Sequence, residues 1–148
     1  MKHDVDCPSC SSVKIDKKEE HTLSQWPIQI KLMGTVIPFL EDADLMVAAD
    51  CTGFATAGFH DYLGNKKLLI GCPKLDDGMY YVEKFTQIFS NMGVKTVTCL
   101  RMEVPCCGGM TAILKEALKR SGKDIPLEEM VIGVKGNLLG KRAVPVEK

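Results

Sequence analysis

Cysteine is the residue type in this sequence with the widest range of chemistry, and two cysteines are adjacent in the segment 101–110. The segment reads Arg-Met-Glu-Val-Pro-Cys-Cys-Gly-Gly-Met, so Pro105 interrupts an apolar run just before Cys106 and Cys107. A helical pattern follows, and the free N–H groups and dipole of a helix N-terminus stabilise thiolates. The pair is therefore suited to binding a soft metal or to thiol redox chemistry.

Two further cysteines occupy comparable places in the sequence. Cys51 follows the apolar run at residues 44–49, and Cys72 follows the apolar run at residues 67–71. Each of them precedes a segment with helical periodicity. Because the carboxyl ends of parallel strands lie along one edge of a sheet, where ligands bind, we expect these thiols and the adjacent pair to meet there as metal ligands.

The expected ligands determine which cofactor suits the site. Thiolates select iron–sulfur clusters, zinc or copper(I) over hard cations. Four cysteines is the usual ligand number of a 4Fe-4S cluster, which is the cofactor we expect, and zinc is the alternative because it also accepts four thiolates. Gly53, Gly108 and Gly109 would let the backbone approach a bulky cofactor and bind it. A metal-free thiol oxidoreductase using Cys106 and Cys107 is a third interpretation.

Residues 1–20 contain a second cysteine pair, in the sequence Cys7-Pro-Ser-Cys10. The polar run at 14–20 has too little apolar content for a core, so we interpret residues 1–20 as an arm and residues 21–148 as a single domain. A Cys-x-x-Cys pair supplies two of the four ligands of a typical metal site. Cys7 and Cys10 are therefore expected to complete or shield the main site, or to form another.

Two other residues have two interpretations each, and a third is assigned to the core. His60 is a candidate for acting on a bound substrate, with a packing histidine beside Phe59 as the alternative. Glu103 is a second candidate, and a solvated charge at a strand end is the alternative. Cys99 lies inside an apolar run and is assigned to the core, because free cysteine is among the most buried residue types. Both an enzyme and a non-catalytic metal-binding module fit these residues.

The elements that would position these side chains follow from hydrophobic periodicity. Apolar runs at 44–49, 67–71, 94–104 and 129–134 predict four strands. The alternation over 28–32 predicts a further short strand or an extended segment, at an edge of the sheet or in a crossing loop. Amphipathic segments between the runs predict helices, and residues 135–148 are expected to form a tail. Parallel strands need crossover connections and are buried on both faces.

The sequence therefore predicts an α/β fold, with an open, mostly parallel sheet of four or five strands and helices on both faces. The last predicted helix shows an apolar face at i, i+3, i+4, i+7 and i+8 and is closed by Gly122. The residues of that face are Met110, Ile113, Leu114, Ala117 and Leu118.

Composition limits the classes of partner. The 148 residues include 19 basic and 19 acidic side chains, a balance that gives no electrostatic footprint for nucleic acid or an anionic membrane. We find no apolar run of about 20 residues and no signal-peptide core, so we expect a cytoplasmic protein. In a reducing compartment, the seven cysteines are better interpreted as metal ligands, reactive thiols or buried small hydrophobic residues than as structural disulfides. The expected partner is a redox protein or a small-molecule substrate, and a homodimer is compatible with this interpretation.

Four ordered motifs within residues 20–135 resemble a known family. They read Leu-Ser-Gln-Trp-Pro-Ile-Gln-Ile-Lys-Leu at 23–32, Ala-Ala-Asp-Cys at 48–51, Gly-Cys-Pro-Lys-Leu-Asp-Asp at 71–77 and Met-Glu-Val-Pro-Cys-Cys-Gly-Gly at 102–109. The motifs resemble the region that follows the ferredoxin-type domain in anaerobe proteins described as 4Fe-4S or iron–sulfur cluster-binding proteins. The resemblance implies an association with iron–sulfur clusters, although the Cys-x-x-Cys-x-x-Cys-x-x-x-Cys signature of the ferredoxin domain is absent from this sequence.

A looser likeness links the cysteines to the Cys-Cys-Gly domains of heterodisulfide reductases. In those domains paired cysteines and a Cys-x-x-Cys bind unusual clusters, and Cys106-Cys107-Gly108 with Cys7 and Cys10 is similar in content but not in order. The resulting hypothesis is an iron–sulfur cluster-binding protein that acts in electron transfer or small-molecule redox chemistry. The alternatives are a zinc- or iron-binding non-catalytic module and the metal-free oxidoreductase.

Overall fold

A computed structural model describes residues 13–14 and 23–147. Its strands are β1 (Val13–Lys14), β2 (Gln25–Trp26), β3 (Asp44–Ala49), β4 (Lys67–Gly71), β5 (Thr96–Met102), β6 (Leu127–Ile132) and β7 (Leu138–Val144). Its α-helices are α1 (Thr52–Ala55), α2 (Phe59–Leu63), α3 (Gly78–Asn91) and α4 (Pro105–Ser121), and short 3-10 helices span Ile30–Leu32 and Pro38–Leu40. None of these described helices is long and apolar enough to cross a membrane.

The main sheet has the strand order β4-β3-β5-β6-β7. Strands β4, β3, β5 and β6 are parallel to one another, whereas β7 pairs antiparallel with β6. From β3 the chain moves to β4 on one side and then crosses back to β5 on the other side of β3. The predicted α/β fold, with five mostly parallel strands, is confirmed.

The helices cover both faces of this sheet, as the sequence predicts, because successive residues of β3 enter different cores. Leu45 and Val47 belong to the larger core, which α3 and α4 cover. Met46 and Ala48 belong to a smaller core on the opposite face, which also contains Phe59 of α2. A strand buried on both faces reads as a continuous apolar run, which explains the pattern at Asp44–Ala49.

The alternation over residues 28–32 does not produce a strand, so of the two alternatives for this segment the strand is wrong. Gln29 forms a single parallel bridge to Ile70, and Ile30–Leu32 is a 3-10 helix. Ile28 packs against the smaller core, whereas Ile30 is buried in the larger one. The apolar spacing therefore reflects a segment that passes the edge of the sheet and contacts both cores in turn.

The tail predicted for residues 135–148 is also wrong in part, because it contains β7. Only Val144 of this strand is buried. The strand forms because the edge of β6 would otherwise be unpaired. Its own sequence shows little of the hydrophobic periodicity that predicts a strand. In addition, residues 13–14 of the predicted arm pair with β2 as β1.

α4 begins at Pro105 and so includes the two cysteines and two glycines that the sequence placed ahead of the helix. Proline favours the first helical position, because its φ angle is already suitable and its missing N–H would have no partner there. The predicted end at Gly122 is confirmed, and that residue adopts a left-handed φ of 71°.

A buried carboxylate joins β5, β7 and α4 to β6. Glu129 is 3% exposed, and it accepts hydrogen bonds from Arg101 Nε (2.8 Å), Arg142 Nε (2.9 Å) and Thr111 Oγ1 (2.6 Å). Burial alone would raise the pKa of Glu129, but the hydrogen bonds from Thr111, Arg101 and Arg142 outweigh it and hold the pKa at about 2.

The depressed pKa of Glu129 predicts how stability depends on pH. Because the folded-state pKa of about 2 lies below the ordinary value of 4.5, the stabilisation is present above pH 4.5 and is lost as the pH falls toward 2. We expect the free energy of unfolding to fall by about 3 kcal/mol over this range, measured by urea unfolding. The free energy of unfolding of the variant Glu129→Gln should fall much less over the same pH range, whereas that of Glu128→Gln should fall as much as that of wild type. Equal pH dependence in wild type and Glu129→Gln would contradict the prediction.

Candidate functional site

The chain reverses its direction of travel across the sheet at β3, and this creates a crevice at the carboxyl edge. The loops after β3 and β5 leave toward opposite sides, because β3 connects to β4 and β5 connects to β6. Open α/β sheets bind ligands at such a switch point. Cys51 lies in the loop after β3, and Cys106 and Cys107 lie just after β5.

The thiols from these two loops are close enough to influence one another. Cys51 and Cys106 are exposed, and Cys107 is 6% exposed. Burial raises the pKa of the Cys107 thiol, and a backbone hydrogen bond at Met102 opposes this effect. Cys106 raises that pKa further through its charge and a side-chain hydrogen bond, and Cys51 does so through its charge. Cys51 therefore lies within electrostatic range of the Cys106–Cys107 pair.

Cys72 lies in the neighbouring loop, after β4. Asp50 N–H donates to Gly71 O at 2.9 Å, which holds the loops after β3 and β4 side by side. A Cβ atom built on Gly109 would lie 3.7 Å from Pro73, so the Cys72 loop also contacts the first turns of α4. Cys72 is half-buried between these neighbours.

The described thiols do not form a ready-made metal cage. Within residues 13–14 and 23–147, no three His, Cys, Asp or Glu side chains are grouped closely enough to hold a metal ion. Cys7 and Cys10, the other two expected ligands, lie outside the described residues. Cys99 is fully buried as predicted, and burial raises the pKa of its thiol to about 12.

The glycines expected to contact a cofactor lie in helices. Gly53 is in α1, and Gly108 and Gly109 are in α4. A Cβ atom on Gly53 or Gly108 would have no protein atom within 4 Å. Open space therefore lies over both positions at the carboxyl edge.

The two candidate catalytic residues have different surroundings. Glu103 Oε2 accepts a hydrogen bond from Val134 N at 2.8 Å, so this carboxylate fixes the turn between β6 and β7. His60 is exposed on α2 and packs edge-to-face against Phe59, with 5.4 Å between the ring centroids. His60 also lines a groove beside the switch point.

That groove is a feature that sequence reasoning missed. It has a volume of about 270 Å³ and opens beside the ends of β3 and β4. Asp50, Gly53 and His60 contribute to its lining, and the rest of the lining is apolar. The apolar residues are Leu23, Ile28, Phe54, Phe59, Leu68 and Ile70. Phe54 is 99% exposed, so the groove presents an unusually open aromatic side chain.

Two carboxylates near the groove form a polar network that the sequence analysis also left unassigned. Burial raises the pKa of Asp50, the side chain of Gln29 opposes this, and the charge of Asp76 raises it further. Asp76 in turn accepts a hydrogen bond from the Tyr81 hydroxyl and lies 3.7 Å from Lys31 Nζ. The sequence did contain one signal for Asp50, namely its position between a buried strand and Cys51. Polar residues that follow parallel strands line the carboxyl edge of the sheet.

Tyr81 holds the Cys72 loop in place. Its side chain is fully buried, and its hydroxyl accepts a hydrogen bond from Cys72 N at 3.1 Å while donating to Asp76. Burial, followed by the hydrogen bond to Asp76, raises the pKa of Tyr81. Gly71 makes this contact feasible, since a Cβ atom there would collide with the tyrosine and lie 2.7 Å from Ile30 Cδ1.

Comparisons with known proteins give a family and a relative. A family model described as a Rossmann-like domain matches residues 37–148. An "uncharacterized protein" of Archaeoglobus fulgidus is 30% identical over 114 residues, which cover 77% of this chain and 81% of that protein. No solved structure matches the chain.

The exposure of the thiols predicts an order of reactivity. In folded, metal-free protein, iodoacetamide should label Cys51 and Cys106 quickly and Cys107 slowly, because burial hinders access and raises the pKa of Cys107. Cys99 should stay unlabelled until urea unfolds the protein. Peptide mass spectrometry over time measures the order, and labelling of Cys107 as fast as that of Cys106 would contradict it.

The two hydrogen bonds of Tyr81 predict a loss of stability when its hydroxyl is removed. Tyr81→Phe leaves Cys72 N–H and Asp76 without their partner, so we expect the free energy of unfolding to fall by about 1–3 kcal/mol. Tyr80→Phe is the matched control, because its hydroxyl only accepts from Lys84 Nζ (3.1 Å), and its effect should stay within about 0.5 kcal/mol. Urea unfolding measures both, and equal stability of the two variants would count against the role of Tyr81.

Proposed function

The chain belongs to the Rossmann-like domain family, and on that premise we propose that it is an iron–sulfur cluster-binding protein with its site at the carboxyl edge of the sheet. The observation that carries the proposal is the position of Cys51 after β3 and of Cys106 and Cys107 after β5, on the two sides of the switch point and within range of one another's charge. Three thiols from two separate loops would supply soft ligands at the place where folds of this kind bind ligands.

The donor chemistry fits a cluster better than it fits a hard cation. Cys51 and Cys106 are exposed and can turn toward a shared ligand, and Cys107 adjoins Cys106 in α4. Cys72, in the loop beside Cys51, is the fourth ligand in this proposal. Four thiolates suit a 4Fe-4S cluster, and zinc is the alternative metal.

The surrounding residues would adapt these thiols to their role. Cys106 and Cys107 lie in the first turn of α4, where free N–H groups and the helix dipole favour negative charge. Cys107 packs in the smaller core, which keeps water from one side of the site. The exposed Cys51 and Cys106 leave the other side open to a redox partner protein or a small-molecule substrate. A bound cluster would supply one-electron transfer in that setting.

A metal-free thiol oxidoreductase is the second candidate function. It is favoured by the side-chain hydrogen bond between Cys106 and Cys107 and by the lack of a three-ligand group among residues 13–14 and 23–147. The two thiols would then cycle between a dithiol and a disulfide and exchange two electrons and two protons with the redox partner or substrate. Metal analysis separates the two candidates.

The proposal predicts which cysteines control metal content. Anaerobically purified wild-type protein should be coloured and should contain iron and sulfide. Cys51→Ala, Cys106→Ala and Cys72→Ala should each lose most of both, because each removes a thiolate ligand. Elemental analysis, sulfide determination and visible absorption measure this loss.

Cys99→Ala is the control for these variants, since this thiol is buried away from the edge and should not affect the iron content. Colourless wild-type protein that contains stoichiometric zinc would reject the iron–sulfur cluster and support zinc as the bound metal. Metal-free protein in which Cys106 and Cys107 form a reversible disulfide would support the oxidoreductase. Equal iron in all four variants would reject the site.

A further inference from the structure

The turn between β6 and β7, residues 133–137, contacts both sides of the crevice at the carboxyl edge. On one side this β6–β7 turn meets the loop between α1 and α2, where Ala57 N donates to Gly136 O at 3.0 Å. On the other side Val134 N donates to Glu103 Oε2 at 2.8 Å. The turn therefore links the segment that follows β3 to the segment that follows β5.

Hydrogen bonds within the β6–β7 turn define its conformation. Gly136 N donates to Gly133 O at 2.8 Å, and Gly133 N donates to Asn137 O at 2.8 Å. Gly136 has a φ of 92°, a backbone conformation that glycine adopts without steric cost. The turn thus holds its two outward contacts at a set separation.

The contact between Gly136 and the end of α1 requires the absence of a side chain. A Cβ atom at this position would lie 2.8 Å from Ala55 O and 3.4 Å from Ala57 N. Both are backbone atoms, so they cannot move aside by a change of rotamer. Any larger residue at position 136 would have to displace the end of α1.

α1 carries this contact to Cys51, because the helix is attached at both ends. Thr52 Oγ1 donates to Ala49 O at 2.7 Å, which ties the start of α1 to the end of β3. Ala55 N donates to Cys51 O at 2.9 Å, so the thiol-bearing residue belongs to the same helical turn that rests on Gly136. If the second attachment were lost, α1 and Cys51 could adopt other positions.

Glu103 provides the corresponding link to the other thiols. Its backbone N donates to Ile132 O at 2.9 Å, and its carboxylate accepts from Val134 N, a charge-assisted bond. The first turn of α4 follows directly, where Cys107 N donates to Val104 O at 3.1 Å. The segment that leads into the cysteine pair is therefore bound to the start of the β6–β7 turn by both its backbone and a side chain.

We propose that the β6–β7 turn sets the separation between Cys51 and the Cys106–Cys107 pair, with Gly136 and Glu103 as positioning residues. Gly136 acts through α1, and Glu103 acts through the segment that leads into α4. Glu103 then serves as a hydrogen-bond acceptor, in place of the catalytic role that the sequence suggested. The effect of this separation on metal binding rests on the proposed cluster, whereas the positioning itself does not.

A distance measurement in metal-free, full-length protein tests the positioning. Nitroxide labels are attached to the exposed Cys51 and Cys106, the buried Cys99 is kept, and the other cysteines are replaced by serine. Electron paramagnetic resonance then gives the distribution of distances between the two labels. Gly136→Ala should shift or broaden this distribution. Gly122→Ala is the matched control, because Gly122 also has a left-handed φ of 71° but has no described atom within 4 Å of its Cβ position.

A pair of variants at Glu103 tests the second link in the same labelled protein. Glu103→Ala removes the acceptor for Val134 N and should broaden the distance distribution. Glu103→Gln keeps an acceptor oxygen and should preserve the wild-type distribution, although it removes the charge. Because Glu103 is exposed, both variants should fold, and far-ultraviolet circular dichroism checks that they do.

Unchanged distributions in Gly136→Ala and Glu103→Ala, or an equal change in Gly122→Ala, would overturn the positioning. A distribution in Glu103→Gln as broad as that in Glu103→Ala would overturn the acceptor role.

With all native cysteines present, Gly136→Ala and Glu103→Ala should lose iron to a chelator several-fold faster than Gly122→Ala. Changed distances in a protein that never binds iron would keep the positioning and reject the cluster. Iron-containing protein with unchanged distances would do the reverse.

Discussion

The central strand β3 is the constraint on which the rest of the structure depends. Its residues from Leu45 to Ala49 are buried, and hydrogen-bonded ladders to β4 and β5 satisfy its backbone on both sides. A strand that is apolar on both faces is stable only when helices cover both faces, and this forces crossovers of opposite direction on its two sides. The crevice at the carboxyl end of β3 is therefore a consequence of covering both faces of this strand with helices. The cysteine-bearing loops surround that crevice.

Two buried polar groups fix the positions of elements that hydrophobic burial alone does not determine. Glu129 ties β5, β7 and α4 to β6 through an arginine on each neighbouring strand and Thr111 on the helix. Tyr81 ties the Cys72 loop to α3 through its bonds to Cys72 N and Asp76. Because buried polar groups are costly when unpaired, both residues specify one arrangement of their neighbours. The first group stabilises the far side of the sheet, and the second positions a loop of the candidate site.

Much of the fold could be predicted from the sequence, because the apolar runs at β3, β4 and β6 are strongly patterned and the runs alternate with amphipathic helices. The start of α4 was predicted too late, since Gly108 and Gly109 disfavour helix while Pro105 at the first position initiates it. The apolar alternation over residues 28–32 came from two cores contacted in turn. β7 was missed because its pairing with β6 depends on an edge that only the assembled sheet presents.

The sequence by itself determined which residues have the chemistry for a site and that they follow buried strands. Strand burial is a local property of composition, so the approximate positions of Cys51, Cys72, Cys106 and Cys107 at one edge followed from it. Only the tertiary structure decided that Cys51 lies within electrostatic range of the Cys106–Cys107 pair, that Glu103 accepts a hydrogen bond from Val134 N, and that Asp50 and His60 border a groove. The physical reason is that strand order and helix packing are set by contacts between residues far apart in the chain, and no local pattern encodes which loops become neighbours.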